Sequence, residues 1–111
     1  MEKLLTIVVP AYNVEKYIKN CLDSLIEISV LRSLEILVVN DGSTDRTLMF
    51  LREQEAENPR VNYLSFSRNF GKEAAMFAGL EKASGDYVVI IDADLQDPPE
   101  LIIEMYETLQ T

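Results

Sequence analysis

Two aspartates separated by one alanine, Asp92 and Asp94, follow directly after the apolar segment 87–91. Carboxylate oxygens suit Mg²⁺ and Mn²⁺, and two adjacent carboxylates repel each other unless a cation lies between them. In an extended backbone, side chains two residues apart point to the same side. The pair therefore predicts a divalent-metal site. The alternative for an isolated Asp-x-Asp is a solvated turn.

Three further polar clusters each follow directly after an apolar segment, at 10–13, 40–43 and 67–69. In a parallel α/β sheet these positions lie at the carboxyl-terminal edge, where ligands bind. Tyr12 offers a ring for stacking on a nucleobase, or it packs on the sheet. Asp41 is placed to accept a hydrogen bond from a base or sugar. Arg68 and Lys72 are the basic residues near these clusters, and each is suited either to phosphate or to neutralising a neighbouring acid.

Composition limits the classes of function. The 111 residues, 48% of them hydrophobic, suffice for one domain with its own core. A formal net charge of −9 argues against a nucleic-acid surface. The chain has no histidine and a single cysteine, Cys21, so a metal would be bound through oxygen.

The elements that must position these residues follow from hydrophobic patterning. Four short segments rich in β-branched residues predict buried parallel strands, at 4–9, 35–39, 61–66 and 87–91. Helical patterns lie between and after them, at 18–26 with Asn13 as N-cap, at 44–57, at 72–83, and from the predicted cap Asp97 onward. The order βαβαβαβα predicts an α/β fold with a doubly wound, mostly parallel sheet of about four strands with flanking helices.

The apolar start of the chain does not predict an export signal or a membrane span. Its apolar stretch stops at Pro10, no small-residue cleavage site follows, and no stretch approaches the ~20 apolar residues of a membrane span. These features predict a cytoplasmic location.

The motifs together resemble a known family. The strings TIVVPAYN at 6–13, VNDGSTD at 39–45 and GDYVVIIDAD at 85–94 resemble the nucleotide-sugar-binding part of glycosyltransferase family 2, and the resemblance covers essentially the whole chain. The strings SRNFGKEAA at 67–75 and DADLQDPPE at 92–100 are similar to its polyprenyl-phosphate branch. That branch includes bactoprenol glucosyltransferases and, more distantly, dolichyl-phosphate mannose synthases.

The resemblance implies a Rossmann-like GT-A fold and a set of site residues. Those implied to bind the nucleotide are Pro10, Ala11, Tyr12, Asp41, Arg68 and Asp92, with Asp41 receiving the base. Those implied to hold Mg²⁺ or Mn²⁺ are Asp92, Asp94 and Gln96. The implied donor is a nucleoside-diphosphate sugar, with UDP favoured over GDP, and a polyprenyl phosphate is a candidate acceptor.

The same resemblance sets expectations for residues 1–111 as a donor-binding part. The family's acceptor-side catalytic acid is expected beyond Thr111, so we expect this chain to bind nucleotide and to transfer sugar poorly. The strand before Asp92 would lack its usual neighbour, which predicts a homodimer through an exposed sheet edge. Full-length relatives often work at the cytoplasmic face of the membrane, where C-terminal helices anchor them.

Two other interpretations fit part of the pattern. A non-catalytic nucleotide- or metal-binding module would use the same predicted site without catalysing a reaction. A phosphatase of the haloacid-dehalogenase type also places Asp-x-Asp after an apolar strand, although normally after the first strand.

Overall fold

The computed structural model of the chain describes residues 4–29, 34–94 and 99–110. Strands and helices alternate throughout these residues, as the sequence predicts. In chain order they are β1 (Leu5–Ala11), α1 (Ile18–Ser29), β2 (Leu34–Asn40), α2 (Thr47–Glu57), β3 (Val61–Ser65), α3 (Lys72–Lys82), β4 (Tyr87–Ile90) and α4 (Pro99–Gln110).

The strands form one parallel sheet in the spatial order β3-β2-β1-β4. The chain moves outward from β1 to β3 and then returns to the other side of β1. The connection after β1 leads to β2 on one side, and the connection after β3 returns to β4 on the other side of β1. The order of the strands thus reverses between β1 and β4, and ligands of open α/β sheets bind in the crevice at the carboxyl ends of the strands at such a point. The predicted doubly wound α/β architecture is confirmed, and the crevice falls between the clusters at 10–13 and 92–94.

The two faces of the sheet are covered by different helices. The larger core packs alternate residues of β1, including Leu5, Ile7 and Val9, against α1, α2 and α4. On the opposite face, α3 packs on β1 and β2 through Ala75. The helix comes close because residue 79 is glycine, where a Cβ atom would lie 2.4 Å from Cγ1 of Val8.

Two predicted helix starts are wrong. The helix α1 begins at Ile18 and Asn13 does not cap it; the φ angle of Asn13 is +52°. The helix α2 begins at Thr47, three residues later than predicted. One contact explains both differences. The backbone N–H of Thr44 donates a hydrogen bond to Oδ1 of Asn13, so both residues belong to the loops and not to the first turns of the helices.

The end of β4 also differs from the prediction. The strand ends at Ile90, and the chain forms a turn at Ala93 and Asp94 instead of an extended segment. The helix α4 begins at Pro99, while the predicted cap Asp97 lies outside the described residues.

Among the described residues, β4 has a neighbouring strand on one side only. Self-association through its other edge stays a prediction, which sedimentation at increasing concentration would test. No helix in the described part of the chain is long and apolar enough to cross a bilayer.

Candidate functional site

A cavity of about 580 Å³ lies at the carboxyl-terminal edge of the sheet, beside the crevice between β1 and β4. It brings together six of the residues predicted for the site: Pro10, Ala11, Tyr12, Asp41, Asp92 and Asp94. Its wall also contains Lys72 and Asn69, which the sequence placed near these clusters. The remaining wall residues were not predicted from the sequence: Val14, Tyr17, Gly71, Ala75 and Ala93. The strand order places Asp41 on the β2 side of the cavity and the Asp92–Asp94 pair on the β4 side.

The carboxylate of Asp41 shapes the wall of the cavity. It is almost fully buried, and it accepts hydrogen bonds from the backbone N–H groups of Phe70 (2.7 Å) and Gly71 (3.0 Å) and from Nδ2 of Asn69 (3.2 Å). A carboxylate offers about four lone-pair directions. Asp41 therefore orders the loop before α3 through three of these directions, which leaves one acceptor direction unused among the hydrogen bonds of its carboxylate.

A glycine permits the close contact between the loops that follow β2 and β3. Gly42 has a φ of +68°, and a Cβ atom on it would lie 2.1 Å from the carbonyl carbon of Arg68. Any side chain would push these loops apart and would disturb the hydrogen bonds of Asp41.

Asn13 joins the loop after β1 to the loop after β2. Its Oδ1 accepts hydrogen bonds from the backbone N–H groups of Thr44 (2.7 Å) and Asp45 (3.3 Å), and its own N–H donates to Oγ of Ser43 (2.9 Å). The sequence pattern predicted Asn13 as the N-cap of the first helix and gave Thr44 and Asp45 no role in the site. In the structure they hold the segment 10–12 in place along the cavity.

Asp45 and Thr47 extend this link between the loops. Oδ2 of Asp45 accepts from the backbone N–H of Glu15 at 3.2 Å, and Oγ1 of Thr47 accepts from that of Val14 at 3.1 Å. Desolvation alone would raise the pKa of Asp45, but hydrogen bonds from the side chain and backbone of Thr47 hold that pKa below its usual value.

Lys72 is the one positively charged side chain among the described residues of the cavity wall. Its Nζ donates to Oδ1 of Asp92 at 2.7 Å. That hydrogen bond, followed by the charge of Asp92, raises the pKa of Lys72. The sequence left open whether Arg68 or Lys72 neutralises a neighbouring acid, and the structure assigns that contact to Lys72.

Arg68 does not line the cavity. Its guanidinium carbon lies 4.0 Å from the centre of the Phe70 ring, and that ring meets Phe66 edge-on at 5.5 Å. The exposed guanidinium is thus held by cation–π contact outside the wall. Its role in nucleotide binding stays a prediction.

The donor atoms of the Asp92–Asp94 pair fit a hard divalent cation. Both side chains are exposed at the cavity, and no group of three or more His, Cys, Asp or Glu side chains arranged for a metal occurs in the described residues. Mg²⁺ is usually bound by one or two carboxylates, with waters and substrate phosphates completing its coordination. Two carboxylates at an open cavity match that pattern, while the predicted third ligand, Gln96, lies outside the described residues.

Cys21 does not supply a reactive group. The side chain is fully buried in α1, and burial, followed by the negative charge of Asp94, raises the pKa of its thiol to about 12. The thiol is therefore protonated at neutral pH and behaves as a small apolar group.

Comparison with known proteins identifies the family. The model of the family "Glycosyl transferase family 2" matches residues 6–111. A bactoprenol glucosyl transferase of Shigella phage SfV is 44% identical over 108 residues, which are 96% of this chain and 35% of that protein. The chain spans about a third of the length of the curated relatives that it matches.

Two solved structures share the fold. The mannosyltransferase PcManGT from Pyrobaculum calidifontis, in complex with GDP-Man and Mn²⁺, matches 85% of this chain and 28% of its own, at a TM-score of 0.76 and 33% identity. Glucosyl-3-phosphoglycerate synthase from Mycobacterium tuberculosis, in complex with Mn²⁺, UDP and glucosyl-3-phosphoglycerate, matches 98% of this chain and 40% of its own, at a TM-score of 0.79 and 28% identity. These matches confirm the GT-A fold, and the bactoprenol relative confirms the resemblance to the polyprenyl-phosphate branch. The chain therefore belongs to glycosyltransferase family 2.

Proposed function

We propose that this chain binds a nucleoside-diphosphate sugar together with Mg²⁺ or Mn²⁺, as the donor-binding part of a glycosyltransferase. One observation carries the proposal. A single cavity joins Tyr12 and Asp41, which suit a nucleoside, to Asp92 and Asp94, which suit a metal-bound diphosphate. The family match and the nucleotide complexes of the two structural relatives support this assignment.

The base would lie on the β2 side of the cavity. The half-exposed ring of Tyr12 offers a stacking surface, and the free acceptor direction of Asp41 suits a ring N–H donor. Both uracil and guanine carry such a donor, so Asp41 alone does not select between them. We favour UDP, while the GDP-Man complex of the mannosyltransferase makes GDP the necessary comparison.

The diphosphate would lie on the β4 side, where the cavity carries excess negative charge. On that side the described wall carries the carboxylates of Asp92 and Asp94 and one ammonium group, that of Lys72. An anionic diphosphate is therefore repelled until a divalent cation joins Asp92 and Asp94. When bound there, the ion would supply Lewis-acid stabilisation of the leaving nucleoside diphosphate.

The identity of the acceptor is inferred from the relatives. The bactoprenol glucosyl transferases among the relatives make a polyprenyl phosphate the favoured acceptor. Such a lipid would place the transfer at a membrane, and we propose the cytoplasmic face that the sequence analysis expects. We assign no acceptor-side catalytic acid within residues 1–111. For residues 1–111 we propose donor binding, and an assay with donor and acceptor tests whether they also transfer sugar.

The phosphatase interpretation is wrong. The family model of glycosyltransferase family 2 spans residues 6–111, and the Asp-x-Asp pair follows β4 and not β1.

An activity assay distinguishes a non-catalytic binding module from a transferase. The assay supplies a UDP- or GDP-sugar and a polyprenyl phosphate and measures the rate of sugar transfer. A rate equal to that of a full-length relative would contradict the expectation of poor transfer.

Calorimetric titration of UDP and of GDP, with and without Mn²⁺, tests donor binding. We expect manganese-dependent binding of one nucleotide and its loss in an Asp92→Asn/Asp94→Asn double variant. Asp23→Asn is the matched single control, because Asp23 is an equally exposed carboxylate that also pairs with a lysine. Absence of binding to the folded wild-type chain, or retained binding in the double variant, would contradict the proposal.

A further inference from the structure

We propose that Lys72 is an exchangeable counter-ion that couples metal binding to donor binding. Its ammonium group neutralises Asp92 when no metal is present. When the metal takes Asp92, the ammonium moves to the diphosphate of the donor. This inference rests on the proposed donor site. It means that Lys72 lowers the affinity for metal alone and raises the affinity for the diphosphate when metal is bound.

The first support is competition for one carboxylate. Nζ of Lys72 lies 2.7 Å from Oδ1 of Asp92, one of the two carboxylates that suit the metal. An ammonium and a divalent cation on the same carboxylate repel each other, so binding of the metal displaces the lysine. Displacement costs little, because the side chains are 61% and 52% exposed and exposed ion pairs are weak.

The second support is the position of Lys72 in its helix. It is the first residue of α3, at the end where the helix dipole disfavours a cation. The stability of α3 therefore does not explain a lysine at this point. The contact with Asp92, across the cavity wall, does explain it.

The third support is the anchoring of the backbone next to Lys72. The N–H of Gly71 donates to Oδ2 of Asp41 at 3.0 Å, which holds the start of α3 at the cavity. The long side chain of Lys72 is free to move while its Cα stays in place. Its ammonium thus remains within the cavity, whose described wall holds it as the single cation against three carboxylates.

These features predict cooperative binding. Without metal, Lys72 is engaged by Asp92 and a diphosphate meets net negative charge. With metal on the aspartates, the released ammonium becomes a donor to phosphate oxygens. Metal and nucleotide then raise each other's affinity, as linkage requires, and Lys72 contributes part of that coupling.

The experiment compares the wild-type chain with Lys72→Met in two titrations. In the first, Mn²⁺ alone is titrated and free Mn²⁺ is followed by electron paramagnetic resonance. We expect about twofold to fivefold tighter Mn²⁺ binding in Lys72→Met, the range set by the weak exposed ion pair. In the second, UDP and GDP are titrated at saturating Mn²⁺, and we expect about tenfold weaker binding of the preferred nucleotide after loss of a charge-assisted hydrogen bond.

Two further variants separate the charge exchange from general effects. Lys19→Met removes an ammonium from a matched ion pair outside the cavity wall, where Nζ lies 2.8 Å from Oδ2 of Asp23 and the side chains are 70% and 52% exposed. It should leave both affinities unchanged. Lys72→Arg keeps the charge and should keep the wild-type Mn²⁺ affinity while restoring most of the nucleotide affinity. Both lysine side chains are exposed, and thermal melts verify that all three variants fold.

The outcomes separate this inference from the donor-site proposal. If the wild-type chain binds no Mn²⁺ or no nucleotide, the donor-site proposal fails and the inference falls with it. If it binds both while Lys72→Met equals Lys19→Met in either titration, or binds Mn²⁺ more weakly, the inference alone is overturned. Tighter Mn²⁺ binding together with weaker nucleotide binding, seen in Lys72→Met and not in Lys19→Met, supports the inference.

Discussion

The Oδ1 atom of Asn13 lies 2.7 Å from the backbone nitrogen of Thr44 and accepts its hydrogen bond. This contact joins the loops after the two central strands, so the segment 10–12 and the start of α2 move together. Asn13 takes a left-handed φ of +52°, which asparagine tolerates better than most residues. Backbone conformation and hydrogen bonding thus require the same residue type.

Replacement of Asn13 by alanine should lower the free energy of unfolding by about 2 kcal/mol, since it removes hydrogen bonds and places in the left-handed region a residue that tolerates it less well than asparagine does. Asn13→Gly removes the hydrogen bonds without the strain and should cost about 1 kcal/mol. Asn13→Asp keeps the acceptor oxygen and should be the mildest of the three. Urea denaturation gives the order, and equal losses for alanine and glycine would show that the φ angle contributes nothing.

Asp41→Ala should destabilise the chain by about 2 to 4 kcal/mol, because it leaves the N–H groups of Phe70 and Gly71 without their buried acceptor. Asp41→Asn keeps one acceptor oxygen but turns an NH₂ group toward a backbone donor, so we expect an intermediate loss. Thermal melts at matched concentration measure both. An Asp41→Ala variant with the wild-type melting temperature would contradict the role assigned to this carboxylate.

Gly79→Ala should lower stability by about 1 to 2 kcal/mol despite the better helix propensity of alanine, since overpacking outweighs that gain. The added Cβ would lie 2.4 Å from Cγ1 of Val8. A Val8→Ala substitution makes room for it, so the double variant should be more stable than the sum of the single effects predicts. Additive losses in urea denaturation would indicate that the two residues do not compete for space.

The thiol of Cys21 should not react with a disulfide reagent at pH 8 in the folded chain, and it should react once urea unfolds the protein. Burial, followed by the charge of Asp94, raises its pKa to about 12, against about 8.5 for a free thiol. Because the folded state holds this proton more tightly, the contribution to stability is present below pH ~8.5 and is lost as the pH rises toward 12.

The pH dependence is isolated by comparison with Cys21→Ala. The stability difference between wild type and variant should shrink above pH ~8.5. A difference that stays constant from pH 7 to pH 10, or rapid thiol labelling of the folded chain at pH 8, would show that Cys21 is not held protonated by burial.

Local patterns in the chain account for the architecture and for the polar residues that follow the strands in the cavity wall. Continuous apolar segments predict strands buried on both faces, and helical spacing between them predicts parallel crossovers. Parallel strands end at one edge of their sheet, so the residues directly after them must gather there. Tyr12, Asp41, Asp92 and Asp94 all lie where this argument places them.

Contacts between residues distant in sequence explain what local patterns missed. Asn13 and Thr44 are 31 residues apart, and Lys72 and Asp92 are 20 apart. Whether an asparagine caps its own helix or bonds to another loop depends on which unpaired backbone groups lie nearby in space. Whether a lysine enters a cavity likewise depends on the packing of its helix on the sheet. Sequence periodicity thus accounts for the strand ends that form the cavity, while folding of the whole chain sets the partners of the polar groups inside it.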